Sequence, residues 1–187
     1  MVYVTGGSSV FALDEKTGEQ IWRNDLSNES DLSAVSVSET TVYVGGVSGL
    51  YALSRFSGDI RWVNLDVGIL STPAVANNLL YVNGQDPNFG LLAFNALSGA
   101  LVWQRQKPGE PLSTVTIANG VPYDVAENGA VMMFNSDTGA FLGKLADPEN
   151  HPFYPFIGAQ AAVVNGTVYV STGDFAETNR IDAFHLP

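Results

Sequence analysis

Cysteine is absent from the 187-residue chain, and no uninterrupted apolar stretch approaches the length of a membrane span. The missing thiols exclude disulfides and thiolate metal sites, although they leave the cellular compartment open. Apolar residues come in short runs, whereas a transmembrane helix needs about 20 of them in succession. Membrane insertion is therefore not expected.

Basic residues are also scarce. Eight Lys and Arg stand against nineteen Asp and Glu, which gives a formal net charge of -11. Such a surface repels phosphate backbones, so nucleic acid is not an expected partner. With two histidines in the chain, a three-histidine metal site cannot be built. The start, Met1-Val2-Tyr3-Val4, is strand-like and carries no signal-peptide pattern.

What the chain does contain is an internal repeat. Its glycines Gly18, Gly58, Gly99 and Gly139 are 40, 41 and 40 residues apart. Each follows Thr or Ser, and in the first three copies a tryptophan comes four residues after the glycine. The copies are Thr17-Gly18-Glu19-Gln20-Ile21-Trp22, Ser57-Gly58-Asp59-Ile60-Arg61-Trp62, Ser98-Gly99-Ala100-Leu101-Val102-Trp103 and the weaker Thr138-Gly139-Ala140-Phe141-Leu142-Gly143.

Short strand-like segments surround each of these turns. A strand ending in a small polar residue precedes the turn, and before it lies a strand centred on a tyrosine: Tyr3, Tyr43, Tyr81, Tyr123 or Tyr169. A further strand precedes four of the tyrosines, joined by pairs such as Asn119-Gly120 that favour two-residue hairpin turns. Each unit is therefore predicted to contain strands A, B, C and D, with almost no helix.

Tandem four-stranded units of about 40 residues are typical of propeller blades. The pattern Ala-Leu-Asp-x-x-Thr-Gly-x-x-x-Trp resembles the PQQ-like repeat, also called the quinoprotein or tryptophan-docking repeat, over essentially the whole chain. The resemblance implies that Trp22, Trp62 and Trp103 pack between adjacent blades. It also implies a periplasmic or secreted protein.

The predicted fold is thus an all-β propeller of four-stranded antiparallel blades in a single domain, 1–187. The units span approximately 1–30, 31–67, 68–107, 108–146 and 156–187. A count of eighteen strands gives about five blades, three complete and two three-stranded, or else the C-terminal half of a larger propeller. The incomplete terminal blades favour a homo-oligomer, because open edges invite association.

Strand parity predicts where a site lies. In antiparallel blades the A–B and C–D turns share one face, and the B–C and D–A loops share the other. The long irregular segments 83–90, 146–156 and 171–180 all belong to the second face. Since binding residues concentrate on loops carried by a rigid scaffold, we expect any site there.

The fourth unit departs from the repeat at Pro122, Asp124, Met133 and Gly143. Asp124 stands where other units have valine. One interpretation is a partly buried carboxylate with a raised pKa, suited to acid or base catalysis. The other is decay of the repeat, with Asp124 solvated at a loosened edge.

Further candidates lie in the irregular segments. His151, Asp124 and Asp174 could form a hydrolytic site with a serine such as Ser113 or Ser171, although no Gly-x-Ser-x-Gly motif is present. Asp86, Asp174 and Glu177 supply oxygen ligands suited to calcium, but their spacing does not fit an EF-hand.

Three functions follow from these features. The first is a non-catalytic module that binds a protein or small ligand on the loop face. The second is a hydrolase, an esterase or amidase, on the same face. The third is a fragment of a PQQ- and calcium-dependent alcohol dehydrogenase, against which stand the missing cysteine pair and haem-attachment motif. No cofactor is expected beyond a calcium ion, and PQQ binding is not expected.

Overall fold

The computed structural model of the chain describes residues 1–69, 71–85, 90–106, 113–126, 130–145, 160–172 and 180–186. Within these ranges every regular element is a β-strand, so none of them offers a helix that could cross a membrane. The strands are β1 Val2–Gly6, β2 Ser9–Leu13, β3 Gln20–Asp25, β4 Ser36–Val37, β5 Thr41–Gly45, β6 Leu50–Ser54, β7 Ile60–Asn64, β8 Ala74–Ala76, β9 Leu79–Gly84, β10 Gly90–Asn95, β11 Leu101–Arg105, β12 Thr116–Ala118, β13 Val121–Val125, β14 Val131–Phe134, β15 Phe141–Leu145, β16 Ala161–Val164, β17 Thr167–Thr172 and β18 Arg180–His185.

These strands form five antiparallel sheets, each of which is one blade. Blade one is β1 to β3, blade two β4 to β7, blade three β8 to β11, blade four β12 to β15 and blade five β16 to β18. Blade one therefore has strands B, C and D, and blade five has strands A, B and C. The prediction of an all-β propeller with four-stranded antiparallel blades is confirmed.

The turns within the blades follow from their side chains. Asn77, Asn119 and Asn165 adopt positive φ in the A–B turns, as two-residue hairpin turns require. In the first C–D turn, the Asp14 carboxylate accepts hydrogen bonds from the amides of Lys16 and Thr17 at 2.9 and 2.8 Å. These backbone donors lower the pKa of Asp14. The turn is thus closed by its own side chain.

Strand register is the same in successive blades and brings a small residue under each tryptophan. Ala12 pairs with Tyr3 on one side and with Trp22 on the other. Ala52 and Ala93 pair with the equivalent tyrosines and tryptophans of blades two and three. In blade four the same pair is Met133 and Gly143, and the Met133 Cε lies 3.4 Å from where a Cβ would stand at Gly143.

The hydrophobic core lies between blades rather than within them. We call the side of a blade that packs on the next blade its forward face and the other side its rear face. Blade two buries its forward face, Tyr43, Leu50, Ala52 and Trp62, against the rear face of blade three, Leu80, Val82, Leu92 and Phe94. Three equivalent clusters join the other neighbouring blades. Each blade is therefore stabilised by its neighbours, as in other repeat proteins.

Each tryptophan lies flat against the C–D turn of the next blade. A Cβ added at Gly58, Gly99 or Gly139 would stand 2.6 Å from a ring atom of Trp22, Trp62 or Trp103, respectively. The indole N–H groups of these tryptophans donate to backbone carbonyls in those turns, on Arg55, Ala96 and Ser136 at 3.0, 3.0 and 2.8 Å. The side chains of Asn24, Asn64 and Arg105 donate to the carbonyls of the three glycines.

The tyrosines of blades one to three support the same contact. The hydroxyls of Tyr3 and Tyr43 donate to the Arg55 and Ala96 carbonyls, both at 3.1 Å. The Tyr81 ring lies 5.9 Å from the Trp103 ring, and burial, together with the charge of Asp137, raises its pKa to about 12. The phenol therefore stays neutral.

The short A strands line the centre, where β4 contacts β8, β8 contacts β12, and β12 contacts β16. Side-chain hydroxyls link two of these pairs. The Ser36 hydroxyl donates to the Pro73 carbonyl, and the Thr116 hydroxyl donates to the Ala161 carbonyl at 2.5 Å. Strand D is consequently the outermost strand of each complete blade.

The contact between each tryptophan and the glycine of the next C–D turn leads to a stability prediction, for which Gly18 serves as the control. Gly18 and Gly99 have nearly the same backbone angle, with φ of 74° and 72°, but nothing lies within 4 Å of a Cβ added at Gly18. Gly18→Ala should cost only the strain of a left-handed alanine, about 1–2 kcal/mol. Gly99→Ala should cost about 1–3 kcal/mol more, because the new methyl displaces Trp62.

Urea unfolding of the two variants measures this difference. Equal losses of unfolding free energy in the two variants would contradict the role of Gly99 as the surface on which the Trp62 indole packs.

Candidate functional site

The loops and turns separate onto two faces, as strand parity predicts. On the turn face, C–D turns bond A–B turns, as in the 2.9 Å hydrogen bonds from the Arg55 amide to the Thr40 carbonyl and from the Ala96 amide to the Asn78 carbonyl. On the loop face, D–A linkers bond B–C loops. The Ile69 amide donates to the Gly46 carbonyl at 2.7 Å.

A buried carboxylate fixes the loop face between blades one and two. Glu29 lies in the D–A linker, yet its side chain is buried. One carboxylate oxygen accepts the Tyr51 hydroxyl at 2.6 Å, and the other accepts the Ser48 amide at 2.9 Å. A Cβ at Gly46 would collide with this carboxylate. Burial, and then the bond to Glu29, raises the pKa of Tyr51, so the phenol remains a donor.

A serine at the entry to strand A recurs in blades two, three and four. Ser33, Ser71 and Ser113 are all buried. The hydroxyls of the first two accept the amides of Gly45 and Asn83, both at 3.0 Å. The third donates towards the Val125 carbonyl at 2.9 Å. Each hydroxyl thereby satisfies a backbone group at the loop-face end of strand B.

Between blades three and four this serine joins a larger polar cluster, which consists of Asn83, Ser113 and Asp124. The Asn83 side-chain amide donates to an Asp124 carboxylate oxygen at 3.0 Å and to the Ser113 carbonyl at 2.8 Å. The Ser113 hydroxyl lies 2.9 Å from that same carboxylate oxygen. Asn83 of blade three and Ser113 of blade four therefore both contact the same Asp124 carboxylate oxygen.

The geometry of this cluster is that of a structural link. Asp124 is fully buried, and Asn83 and Ser113 are nearly so. The single Ser113 proton is shared between two acceptors, Asp124 and the Val125 carbonyl. Because a substrate cannot reach a buried hydroxyl that is already hydrogen-bonded, the cluster fits inter-blade adhesion better than nucleophilic catalysis.

The prediction that Asp124 is solvated at a loosened edge is wrong. Its place in β13 turns it inward at the position of Val44 and Val82, and the hydrogen bonds of Asn83 and Ser113 compensate its burial. Pro122 pairs with Ile117 in β12, whereas the pairing of β13 with β14 begins only at Tyr123.

Several predicted site residues lie outside the described residues, namely His151, Asp174, Asp86 and Glu177. The hydrolytic and calcium sites that depend on them stay predictions. Ser171 is described as an exposed residue of β17. In the described part of the chain, no three His, Asp or Glu side chains come together as a metal site.

Sequence reasoning missed two of the buried polar residues. Glu29 sits in Ser27-Asn28-Glu29-Ser30, which looks like a solvated linker. Asn83 opens an irregular segment, and its partner Asp124 is 41 residues away. The repeat offered no signal for Asn83, because the same position holds Gly45 in the second unit and Val125 in the fourth.

Blades, turns and inter-blade tryptophans together define a β-propeller assembled from PQQ-like repeats. A family model described as outer membrane protein assembly factor BamB matches residues 6–174. The chain belongs to this family. It is 28% identical to the outer membrane protein assembly factor BamB of Yersinia pestis over 162 residues, which cover 73% of the chain and 41% of that relative. The chain thus spans less than half the length of this curated relative.

Solved structures share the fold. The crystal structure of BamB from Moraxella catarrhalis superimposes with a TM-score of 0.75 at 16% identity, covering all of this chain and 57% of that one. The quinohemoprotein alcohol dehydrogenase from Comamonas testosteroni gives a TM-score of 0.69 at 15% identity, covering 98% and 38%. At these identities the likeness concerns the fold alone.

The polar cluster can be tested by a double-mutant cycle. Asp124→Val restores the residue found in blades two and three, but it leaves one of the two Asn83 side-chain amide hydrogens without its acceptor in a buried place. We expect a loss of about 1–3 kcal/mol in unfolding free energy. Adding Asn83→Ala removes this unpaired donor. The double variant should therefore lose at least about 0.5 kcal/mol less unfolding free energy than the sum of the two single variants.

Chemical denaturation of the four proteins gives the coupling. Strict additivity would show that the hydrogen bond between blades three and four contributes nothing specific to stability.

Proposed function

We propose that the chain is a non-catalytic propeller module that binds a protein on its loop face. Two observations support this proposal. The family to which it belongs is named for outer membrane protein assembly, a task that requires contact with other proteins. The polar side chains described beneath the loop face are already engaged in holding blades together. That second observation carries the proposal, since it leaves recognition to the loops above.

The described part of the loop face has a mixed character that suits protein recognition. Val47, at the tip of the blade-two B–C loop, and Leu65, in the following D–A linker, are exposed apolar residues. Asp31 is an exposed acid in the preceding linker. With the chain's net charge of -11, the complementary partner is a protein surface that offers apolar and basic side chains.

The proposed place of action is the periplasm. The relatives that carry the assembly-factor name are bacterial, and a protein that assists outer membrane assembly must reach the inner side of that membrane. Because the chain spans only part of those relatives, their complete set of partners is not transferred to it.

Site-specific photo-crosslinking tests the loop face directly. A benzoyl-phenylalanine at Val47 should give an adduct with an outer membrane assembly protein in the envelope of a Gram-negative host. The matched control is the same probe at Leu97, an apolar position on the turn face that is 72% exposed against 46% for Val47.

Mass spectrometry identifies the adducts. Equal labelling from both positions, or labelling from Leu97 alone, would refute the loop-face proposal. Adducts between two copies of the chain are recognised by their mass and count for neither result.

The dehydrogenase alternative makes a separate prediction. We expect no alcohol-dependent dye reduction when PQQ and calcium are added to the purified protein, because the chain lacks the cysteine pair that the family's enzymes carry. A quinohemoprotein dehydrogenase measured in the same assay serves as the positive control. Saturable PQQ binding coupled to alcohol oxidation would replace the binding proposal with catalysis.

A further inference from the structure

The outer wall of the propeller is apolar and basic, although the chain as a whole is acidic. This wall consists of the outermost strands of blades two, three and four, which are β7, β11 and β15. Six large apolar side chains of these strands are between 45% and 58% exposed: Ile60, Val63, Leu101, Val102, Phe141 and Leu142. Single exposed apolar residues are ordinary on a protein surface, whereas a contiguous group of them marks an interaction surface.

The exposure of these side chains follows from the place of strand D in the blade. Blades two, three and four each pack against a neighbouring blade on both sides. Ile60, Leu101 and Phe141 stand two residues after the docking glycine in successive repeats, and all three are exposed. A further blade at either end of the series would leave them exposed, because strand D lies at the outer rim.

Basic residues are concentrated in the same strands. Arg61, Arg105 and Lys144 lie one in each strand, and none of the three strands contains Asp or Glu. The chain has nineteen acidic residues and eight basic ones, so the wall and the whole molecule differ in the sign of their charge. The ion pairs among the described residues involve other groups, so no described carboxylate neutralises the three charges.

Blades three and four join their parts of the wall into one surface. The Arg105 guanidinium, at the end of β11, donates to the carbonyls of Thr138 and Gly139 at 2.7 and 2.8 Å. These two residues lie just before β15, so Arg105 lies beside the start of the strand that carries Phe141 and Leu142. Both acceptors are neutral, and the guanidinium therefore keeps its full charge.

The edges of these strands do not favour the addition of a further strand. In β11 and β15 the pairing register shifts by one residue, and Val102 and Leu142 are the extra residues. Bulges of this kind, together with a basic side chain on the edge, oppose pairing with another strand. The wall is therefore suited to recognition through its side chains.

We propose that the wall formed by β11 and β15 binds a segment of another protein that carries acidic side chains beside apolar ones. The carboxylates of this segment pair with Arg105 and Lys144. Its apolar side chains cover Phe141 and Leu142. The inference is independent of the loop-face proposal, since the wall lies at the rim of the blades and favours a partner of the opposite charge.

A protein segment fits this wall better than an anionic membrane does. A membrane presents negative charge over a large area and is repelled by the net charge of -11. A short acidic segment interacts mainly with charges within a Debye length of about 8 Å at physiological ionic strength. The local basic residues therefore decide its binding.

Two labelled peptides test this chemistry by fluorescence anisotropy with the whole chain. One has a core of leucines and phenylalanine flanked by glutamates, and the other has the same core flanked by lysines. We expect the acidic peptide to bind with an affinity that falls as salt is added, and the basic peptide not to bind.

Charge reversal locates the site. Lys144→Glu should weaken binding of the acidic peptide about fivefold, because an attraction becomes a repulsion. Lys16→Glu is the matched control, since Lys16 is exposed on the turn face and its reversal changes the net charge equally. Leu142→Ser should also weaken binding, whereas Leu97→Ser, on the turn face, should not. All four side chains are exposed, so the urea midpoints should match that of the wild type.

Equal binding of the two peptides, or binding of neither, would overturn the proposal. Equal losses from Lys144→Glu and Lys16→Glu would also overturn it, because they would report the net charge alone. Retention of the chain on phosphatidylglycerol vesicles that Lys144→Glu abolishes would assign the wall to a lipid surface and refute the protein segment.

Discussion

The contact between an indole and a glycine sets the spacing of the blades. A tryptophan can lie flat on the next C–D turn only if that turn has no side chain at its glycine, and the left-handed backbone of the turn is available to glycine at little cost. The indole N–H then satisfies a turn carbonyl. This one residue pair contributes burial and a hydrogen bond and sets the inter-blade distance, and the tyrosine and alanine of blades one to three are placed to support it.

Blade four shows how the repeat accommodates the loss of this contact. Gly143 removes the indole, and Met133 places a flexible side chain over the vacated position. Blades one to three pair an alanine with a tryptophan, and blade four pairs a methionine with a glycine at the same two positions. The methionine keeps apolar volume between the strands. The change at residue 143 is therefore compensated within the blade, and the description of blade four as a decayed repeat misses this.

Features that recur in every repeat can be predicted from the sequence, whereas contacts that occur only once in the chain cannot. The spacing of Gly18, Gly58, Gly99 and Gly139, together with the Asn turns, predicts strand order, blade number and the two faces. The bond between Asn83 and Asp124 could not be predicted, because it joins strands of different blades at positions where other blades carry Gly45 and Val44. Likewise, Glu29 is buried only because Tyr51 and the Gly46 turn form a pocket for its carboxylate.

These unique polar contacts share a location that bears on function. Glu29 and the cluster of Asn83, Ser113 and Asp124 both lie beneath the loop face, whereas the repeated tryptophan contacts lie toward the turn face. Apolar packing between blades is tolerant of small shifts, but a buried carboxylate is costly unless its donors stay in position. The polar contacts therefore hold the loop-face ends of the strands in fixed positions. A scaffold fixed in this way allows the loops above it to change in sequence without loss of the fold, which is the condition under which one propeller architecture serves different partners.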